Sequence, residues 1–163
     1  MKQLLAFAVI FLVAVTAPSQ AFETDKSSVD NVLNEFHEAA SKADWDTYFG
    51  LMSDDAVFLG TDAAERWDRE TFRHGYASKS KGWTYILRER HINFTPDGNS
   101  AWFDELLDND NYGTSRGTGI LIRTSAGWKI SQYHLTFPIP NDLAAGITLQ
   151  IQTFEARQKM GQK

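Results

Sequence analysis

Asp104 and Glu105 stand side by side in the run Ala101-Trp102-Phe103-Asp104-Glu105-Leu106-Leu107. The run reads as a strand, and neighbours on a strand point to opposite faces. One carboxylate therefore faces the interior, and the other faces solvent or a partner subunit. A carboxylate in an apolar pocket has its pKa raised, which suits a general base or acid near neutral pH. The plainer role for the pair is ion pairing with Arg or Lys on neighbouring strands. His134, the natural proton-transfer type at neutral pH, lies in step with Trp128, Ile130 and Gln132 on a later strand. If that is the core face, Gln132 and His134 bring polar atoms towards a pocket. The bland counterpart is a partly buried His bonded to a neighbouring strand or placed in a dimer contact. A bulge would exchange the two faces and put Tyr133 and Leu135 inside instead. Trp45, Tyr48, Phe49, Trp83 and Tyr85 supply aromatic surface for the core first and for a pocket second. Asp62, Glu65 and Arg66 surround a tight hairpin and read as structural, Asp62 for the turn and Arg66 for an ion pair.

Other chemistries are excluded by their missing parts. Asp108-Asn109-Asp110-Asn111-Tyr112-Gly113 begins like a calcium loop, but its fifth position is Tyr and its twelfth is Gly119 rather than a bidentate Glu. Gly117-Thr118-Gly119 lacks the third glycine and the helix of a dinucleotide site. His37, His74, His91 and His134 lack metal-ligand spacing, and no nucleophile elbow or P-loop is present. No metal or cofactor is implied. The chain has no cysteine, which removes zinc–thiolate sites, thiol catalysis and disulfides.

The elements that position these residues belong to one domain. Leu4 to Val15 is an almost unbroken apolar run after Lys2, too short for a comfortable bilayer span, followed by the small residues Pro18, Ser19 and Ala21. The expectation is a signal peptide at 1–21, cleaved between Ala21 and Phe22, and a periplasmic or secreted protein. Without a cysteine after the apolar run a lipoprotein anchor is chemically excluded. Sixteen Lys and Arg against 21 Asp and Glu give a net charge of −5, one unit more negative without Lys2. That balance argues against nucleic acid and anionic membrane as partners. An aromatic content of 13% supplies the bulk for a core that must hold without disulfides.

Val29, Val32, Leu33, Phe36, Ala40 and Ala43 recur at helical spacing, with an N-cap at Ser27 or Ser28 after a polar lead-in. Asp44 caps a short second helix bearing Trp45, Tyr48, Phe49 and Met52. Ala56–Leu59 and Ala64–Trp67 form a hairpin. Asp68 caps a third helix, with Trp67 and Phe72 as a hydrophobic staple, ending near Ser80-Lys81-Gly82. Four strands follow over 83–94, 101–107, 116–123 and 128–137. A final helix starts at Asn141 or Asp142 and carries Leu143, Ile147, Ile151 and Phe154.

Helices on one face of a bent antiparallel sheet form an α+β cone. The chain resembles the nuclear-transport-factor-2-like superfamily and, within it, the SnoaL-like group of exported bacterial type. The resemblance rests on Phe58-Leu59-Gly60-Thr61-Asp62 with Glu65-Arg66-Trp67, on Ala101-Trp102-Phe103-Asp104-Glu105, on Arg116-Gly117-Thr118-Gly119, and on Gly127-Trp128-Lys129-Ile130 through Pro140. It implies a cone-shaped curved antiparallel sheet wrapped around the N-terminal helices over 22–142, with an extra C-terminal helix at 143–163. It also favours Asp104 as the pocket-facing carboxylate. Three functional readings follow. The first is a homodimer binding a small, mostly apolar molecule through Trp45, Tyr48, Phe49, Trp83, Tyr85 and Gln132. The second is an isomerase, hydratase or cyclase with Asp104 as general base and His134, Tyr48 or Tyr85 steadying developing oxyanion charge. The third is a non-catalytic dimeric interaction module whose interior is filled by side chains.

Overall fold

Residues Ser19 to Lys42 contain neither Gly nor Pro, so nothing in them stops a helix once begun. In the computed structural model, which describes residues 18–161 with side chains from Asp25 onward, they form one long helix, α1 (Pro18–Lys42). It runs straight through Thr24–Ser28, so the polar lead-in and the N-cap at Ser27 or Ser28 are corrected. The expected leader at 1–21 lies, up to Ala17, outside the described residues. Val29, Leu33, Phe36 and Ala40 form the buried stripe that their spacing requires. The helix ends where Ala43 adopts a φ of 54° and the Asp44 amide reaches back to the Ala39 carbonyl at 2.9 Å.

Two caps stand where the sequence places them. Asp44 accepts from the Thr47 amide at 3.2 Å and starts α2 (Trp45–Gly50). Asp68 accepts from the Thr71 amide at 2.7 Å and starts α3 (Arg69–Gly75). Trp67 and Phe72 stack at 5.3 Å across that start, the expected staple. The helix stops at Gly75, earlier than its sequence suggests, and a single 3₁₀ turn, Ala77–Lys79, carries the chain on.

The strands are β1 (Met52–Leu59), β2 (Arg66–Asp68), β3 (Ile86–Phe94), β4 (Ser100–Asn109), β5 (Gly113–Thr124) and β6 (Gly127–Thr136). Strands β3 to β6 make the expected antiparallel meander. The cone does not follow. The six strands lie in one open sheet in the order β2-β1-β6-β5-β4-β3, with β2 and β3 as its two edges. β1 enters parallel to β6, so the sheet is mixed. Closure into a cone needs its edges to meet, and β2 is a three-residue strand that, among the described residues, pairs only with β1. The helices α1, α2 and α3 join the sheet in one buried cluster that includes Phe36, Tyr48, Phe49, Phe58, Phe72, Phe103, Leu121, Trp128, Ile130 and Tyr133.

Strand β6 contains a bulge. Ile120 pairs with Gln132 but Leu121 pairs with Ile130, leaving Ser131 as the extra residue. Trp128 and Ile130 are buried before it and Tyr133 after it. The final helix, α4 (Asn141–Gly161), has no buried residue, and Leu143, Ile151 and Phe154 on its expected apolar face are exposed. Among the described residues no helix is long and apolar enough to cross a membrane.

Candidate functional site

A cleft of about 270 Å³ opens at the end of the sheet where five segments converge. The turn after β1 brings Gly60, Thr61, Glu65 and Trp67. Helix α3 and the residue after it bring Phe72 and Tyr76. The segment before β3 brings Trp83, Thr84 and Tyr85. The β4–β5 turn brings Asn109, Asn111 and Tyr112, and the end of β6 brings Leu135 and Phe137. The wall is a row of nearly parallel rings: Trp67 lies 5.4 Å from Tyr76, and Phe72 lies 5.9 Å from Trp83 with 24° between the planes. Tyr112 and Phe137 form a second stacked pair at 4.7 Å. The rim is held by Asn109, which donates to the Thr84 carbonyl at 2.8 Å and accepts from the amides of Asn111 and Tyr112 at 2.9 and 3.0 Å. Burial first, then Tyr112 and Tyr76, push the Tyr85 hydroxyl up to about 12, so it stays protonated as a donor across the physiological range.

A second polar constellation lies inside the fold. Glu105 is fully buried, and its Oε1 accepts from the Tyr133 hydroxyl at 2.8 Å and faces His37 Nε2 at 2.8 Å. Its Oε2 accepts from Arg90 Nε at 2.7 Å. Arg90 in turn donates to Asp30 Oδ1 at 2.6 Å and Asn34 Oδ1 at 2.8 Å. The network therefore ties α1 to β3, β4 and β6. Burial pushes the Glu105 carboxyl up, but His37, Arg90 and Tyr133 together outweigh it and hold the group below the usual carboxylate range. Tyr133 goes the other way: burial and the Glu105 charge raise it well above 10. Gly117 on β5 makes the space, since a Cβ there would lie 2.3 Å from the Tyr133 hydroxyl and 2.6 Å from Glu105 Oε1. None of these side chains lines the cleft.

The SnoaL-like domain profile matches residues 29–140, from the buried stripe of α1 to the proline before α4. The chain belongs to the SnoaL-like family. No curated protein matches it. Solved structures share the SnoaL-like, NTF2-like fold. A protein of unknown function from Mycobacterium tuberculosis superposes with a TM-score of 0.65 at 13% identity, covering 80% of this chain and 81% of that one. An NTF2-like protein of unknown function from Pseudomonas putida gives 0.62 at 15% identity, over 73% and 90% of the two chains. An NTF2-like protein with a cystatin-like fold from Novosphingobium aromaticivorans gives 0.61 at 13%, over 78% and 91%. At such identities the likeness is one of fold alone.

On this SnoaL-like scaffold the expected site residues separate. Trp83 and Tyr85 line the cleft. Tyr48 and Phe49 are core residues, and Trp45 packs on that core 4.9 Å from Trp83. Gln132 leaves the pocket because the bulge at Ser131 turns it to the outer face, where the row Asn93–Trp102–Ile120–Gln132 runs across four strands. His134 and Asp104 share the next row, separated by Thr118. The expectation that Asp104 faces the pocket is thus reversed. Its side chain is 53% exposed and meets His91 Nδ1 at 3.2 Å, while Glu105 takes the inside. Asp104→Asn is expected to change stability by no more than about 0.5 kcal/mol, read by urea denaturation. A loss of several kcal/mol would mean that Asp104 is buried in a pair after all. Sequence reasoning missed the convergence of His37 and Arg90 on Glu105, and it read Glu65 mainly as structural. Among the described residues no group of His, Cys, Asp and Glu is placed to hold a metal ion.

Proposed function

We propose that this SnoaL-like protein binds a small, mostly apolar aromatic molecule in the cleft between Trp83 and Phe137. The observation that carries this reading is the cavity of about 270 Å³, walled by stacked rings and set apart from the ionised network in the interior. Aromatic walls interspersed with polar groups such as Thr61, Thr84, Asn109 and Asn111 suit a small aromatic ligand that also carries polar atoms. The test is ligand-detected NMR with a panel of small neutral and charged aromatics. Members of the panel are expected to bind, and Tyr76→Ala is expected to weaken them about tenfold, with the melting temperature little changed because Tyr76 is half exposed. A panel with no binder, or binding indifferent to Tyr76, defeats the reading.

The isomerase, hydratase or cyclase reading through Asp104 has less support. Asp104 lies on the outer face, and a base working near neutral pH needs a raised pKa, whereas the buried carboxylate, Glu105, is shifted down.

The reading includes a homodimer formed through the outer sheet face. Phe103, Leu107 and Leu121 are buried, whereas the strand neighbours Trp102 and Ile120 are exposed apolar groups on the other face. A second copy placed on this face covers both. Trp102→Lys is expected to turn a dimer into a monomer at micromolar concentration in sedimentation experiments, and a wild-type monomer would remove this part of the proposal. Export to the periplasm or medium also belongs to the proposal and rests on residues 1–21. N-terminal sequencing of the protein from its own host checks it.

A further inference from the structure

Among the described residues, Glu65 is the one formally charged side chain on the cleft lining, which includes no Lys, Arg or His. Several acidic residues elsewhere in the fold are paired with arginines: Asp54 with Arg69, Asp46 with Arg73, Asp108 with Arg88, and Glu105 and Asp30 with Arg90. Glu65 has no ion-pair partner among the described residues. Its position is nonetheless built. Its backbone carbonyl accepts from the Gly60 amide at 2.8 Å, and its Oε2 accepts from the Asp62 amide at 3.2 Å. The carboxylate lies over Gly60 so closely that a Cβ there would sit 2.1 Å from Oε2. Trp67, Tyr76 and Trp83 line the same cleft.

We infer that the cleft selects organic cations, with an alkylated ammonium head held against the aromatic wall and Glu65 and an apolar or aromatic body along the remaining rings. This rests on the reading of the cleft as a ligand site and specifies its chemistry. A neutral ligand stacks on the rings but strips water from an unpaired carboxylate without compensation. An anion is repelled by that carboxylate and by the negative ring faces. A cation is attracted by both, because the ring quadrupole and the carboxylate act with the same sign. A bulky alkylated head also gives up its hydration more readily than a primary ammonium.

The experiment compares two probes of the same shape, 4-hydroxyphenyltrimethylammonium and 4-tert-butylphenol, which differ in one atom and one charge. Affinities are read by calorimetry and by the tryptophan fluorescence of the full chain. The cation is expected to bind about tenfold tighter than the neutral probe. Glu65→Gln keeps the acceptor for the Asp62 amide and removes the charge. It is expected to cut that preference to about threefold or less, the remainder being set by the rings, by weakening the cation and slightly tightening 4-tert-butylphenol, which no longer strips water from a charged carboxylate. Equal or tighter binding of the neutral probe to the wild type overturns the selectivity but keeps the cleft as a ligand site. An undiminished preference in Glu65→Gln overturns the role of Glu65. Binding of neither probe overturns this inference and counts against the ligand site as well.

Discussion

Glu105→Leu is expected to destabilise the protein by about 3–5 kcal/mol, the cost of leaving a buried cation without its partner. Arg90 and Glu105 are both almost wholly out of water, at 2% and 0% side-chain exposure. Leucine removes the acceptor for Arg90 Nε and for the Tyr133 hydroxyl, and the contact with His37, while Asp30 still holds one end of Arg90. The double variant Glu105→Leu/Arg90→Leu is expected to recover part of the loss, because removing both charges ends the desolvation problem that removing one creates. Urea denaturation of the two single variants and the double variant measures the coupling. A single-variant loss below about 1 kcal/mol would mean that water reaches the pair. Gly117→Ala should act on the same network from β5, since its methyl group would occupy the space of the Tyr133 hydroxyl and Glu105 Oε1.

The same network sets a pH dependence with a definite sign. A carboxyl whose folded pKa lies below its ordinary value of 4.5 contributes stability that is present above that value and is lost as pH falls through the folded pKa. The gap between wild type and Glu105→Gln should therefore be constant near neutrality and narrow in acid. Tyr133 and Tyr48 have pKa values raised above 10. Their contribution is complete below that value and is lost as pH rises beyond it. Stability is thus expected to decline at both ends, for separate reasons.

Much of this architecture is legible in the sequence because its signals are local. The caps at Asp44 and Asp68, the Trp67–Phe72 staple, the four-strand meander and the SnoaL-like resemblance all rest on residues close together in the chain. The parallel entry of β1 beside β6 is not local. It joins residues 75 to 78 positions apart, and no short-range pattern separates the resulting mixed, open sheet from a closed antiparallel one, so the cone expectation fails. The inversion at Asp104 was written in the strand itself. Ala101, Phe103 and Leu107 alternate in phase with Glu105, not with Asp104, and period-two alternation places Glu105 inside. In β6 the step from Trp128 and Ile130 to Tyr133 and Leu135 breaks that period once, which is the mark of the bulge at Ser131. The cleft was only half visible. Trp83 and Tyr85 were in view, but the unpaired state of Glu65 depends on where every arginine goes, and pairings across the fold decide that.

Trp128→Ala is the second large effect, an expected loss of about 3–5 kcal/mol. Trp128 is 6% exposed on β6 before the bulge. Its ring lies 5.7 Å from Phe94 on the far edge strand, and the Arg123 guanidinium sits 4.6 Å over it. Alanine removes the ring from between these groups and leaves a cavity that a paired backbone cannot collapse to fill, because Trp128 is in register with Arg123 in the β5–β6 ladder. Trp128→Phe separates volume from polarity. The indole Nε1 is buried with no hydrogen-bond partner among the described residues, so phenylalanine keeps much of the packing and deletes an N–H that gains nothing. It is expected to cost under about 1.5 kcal/mol. Thermal and urea denaturation of the two variants give the comparison. Equal losses would show that the indole N–H, rather than the ring's volume, holds this end of the sheet to the core.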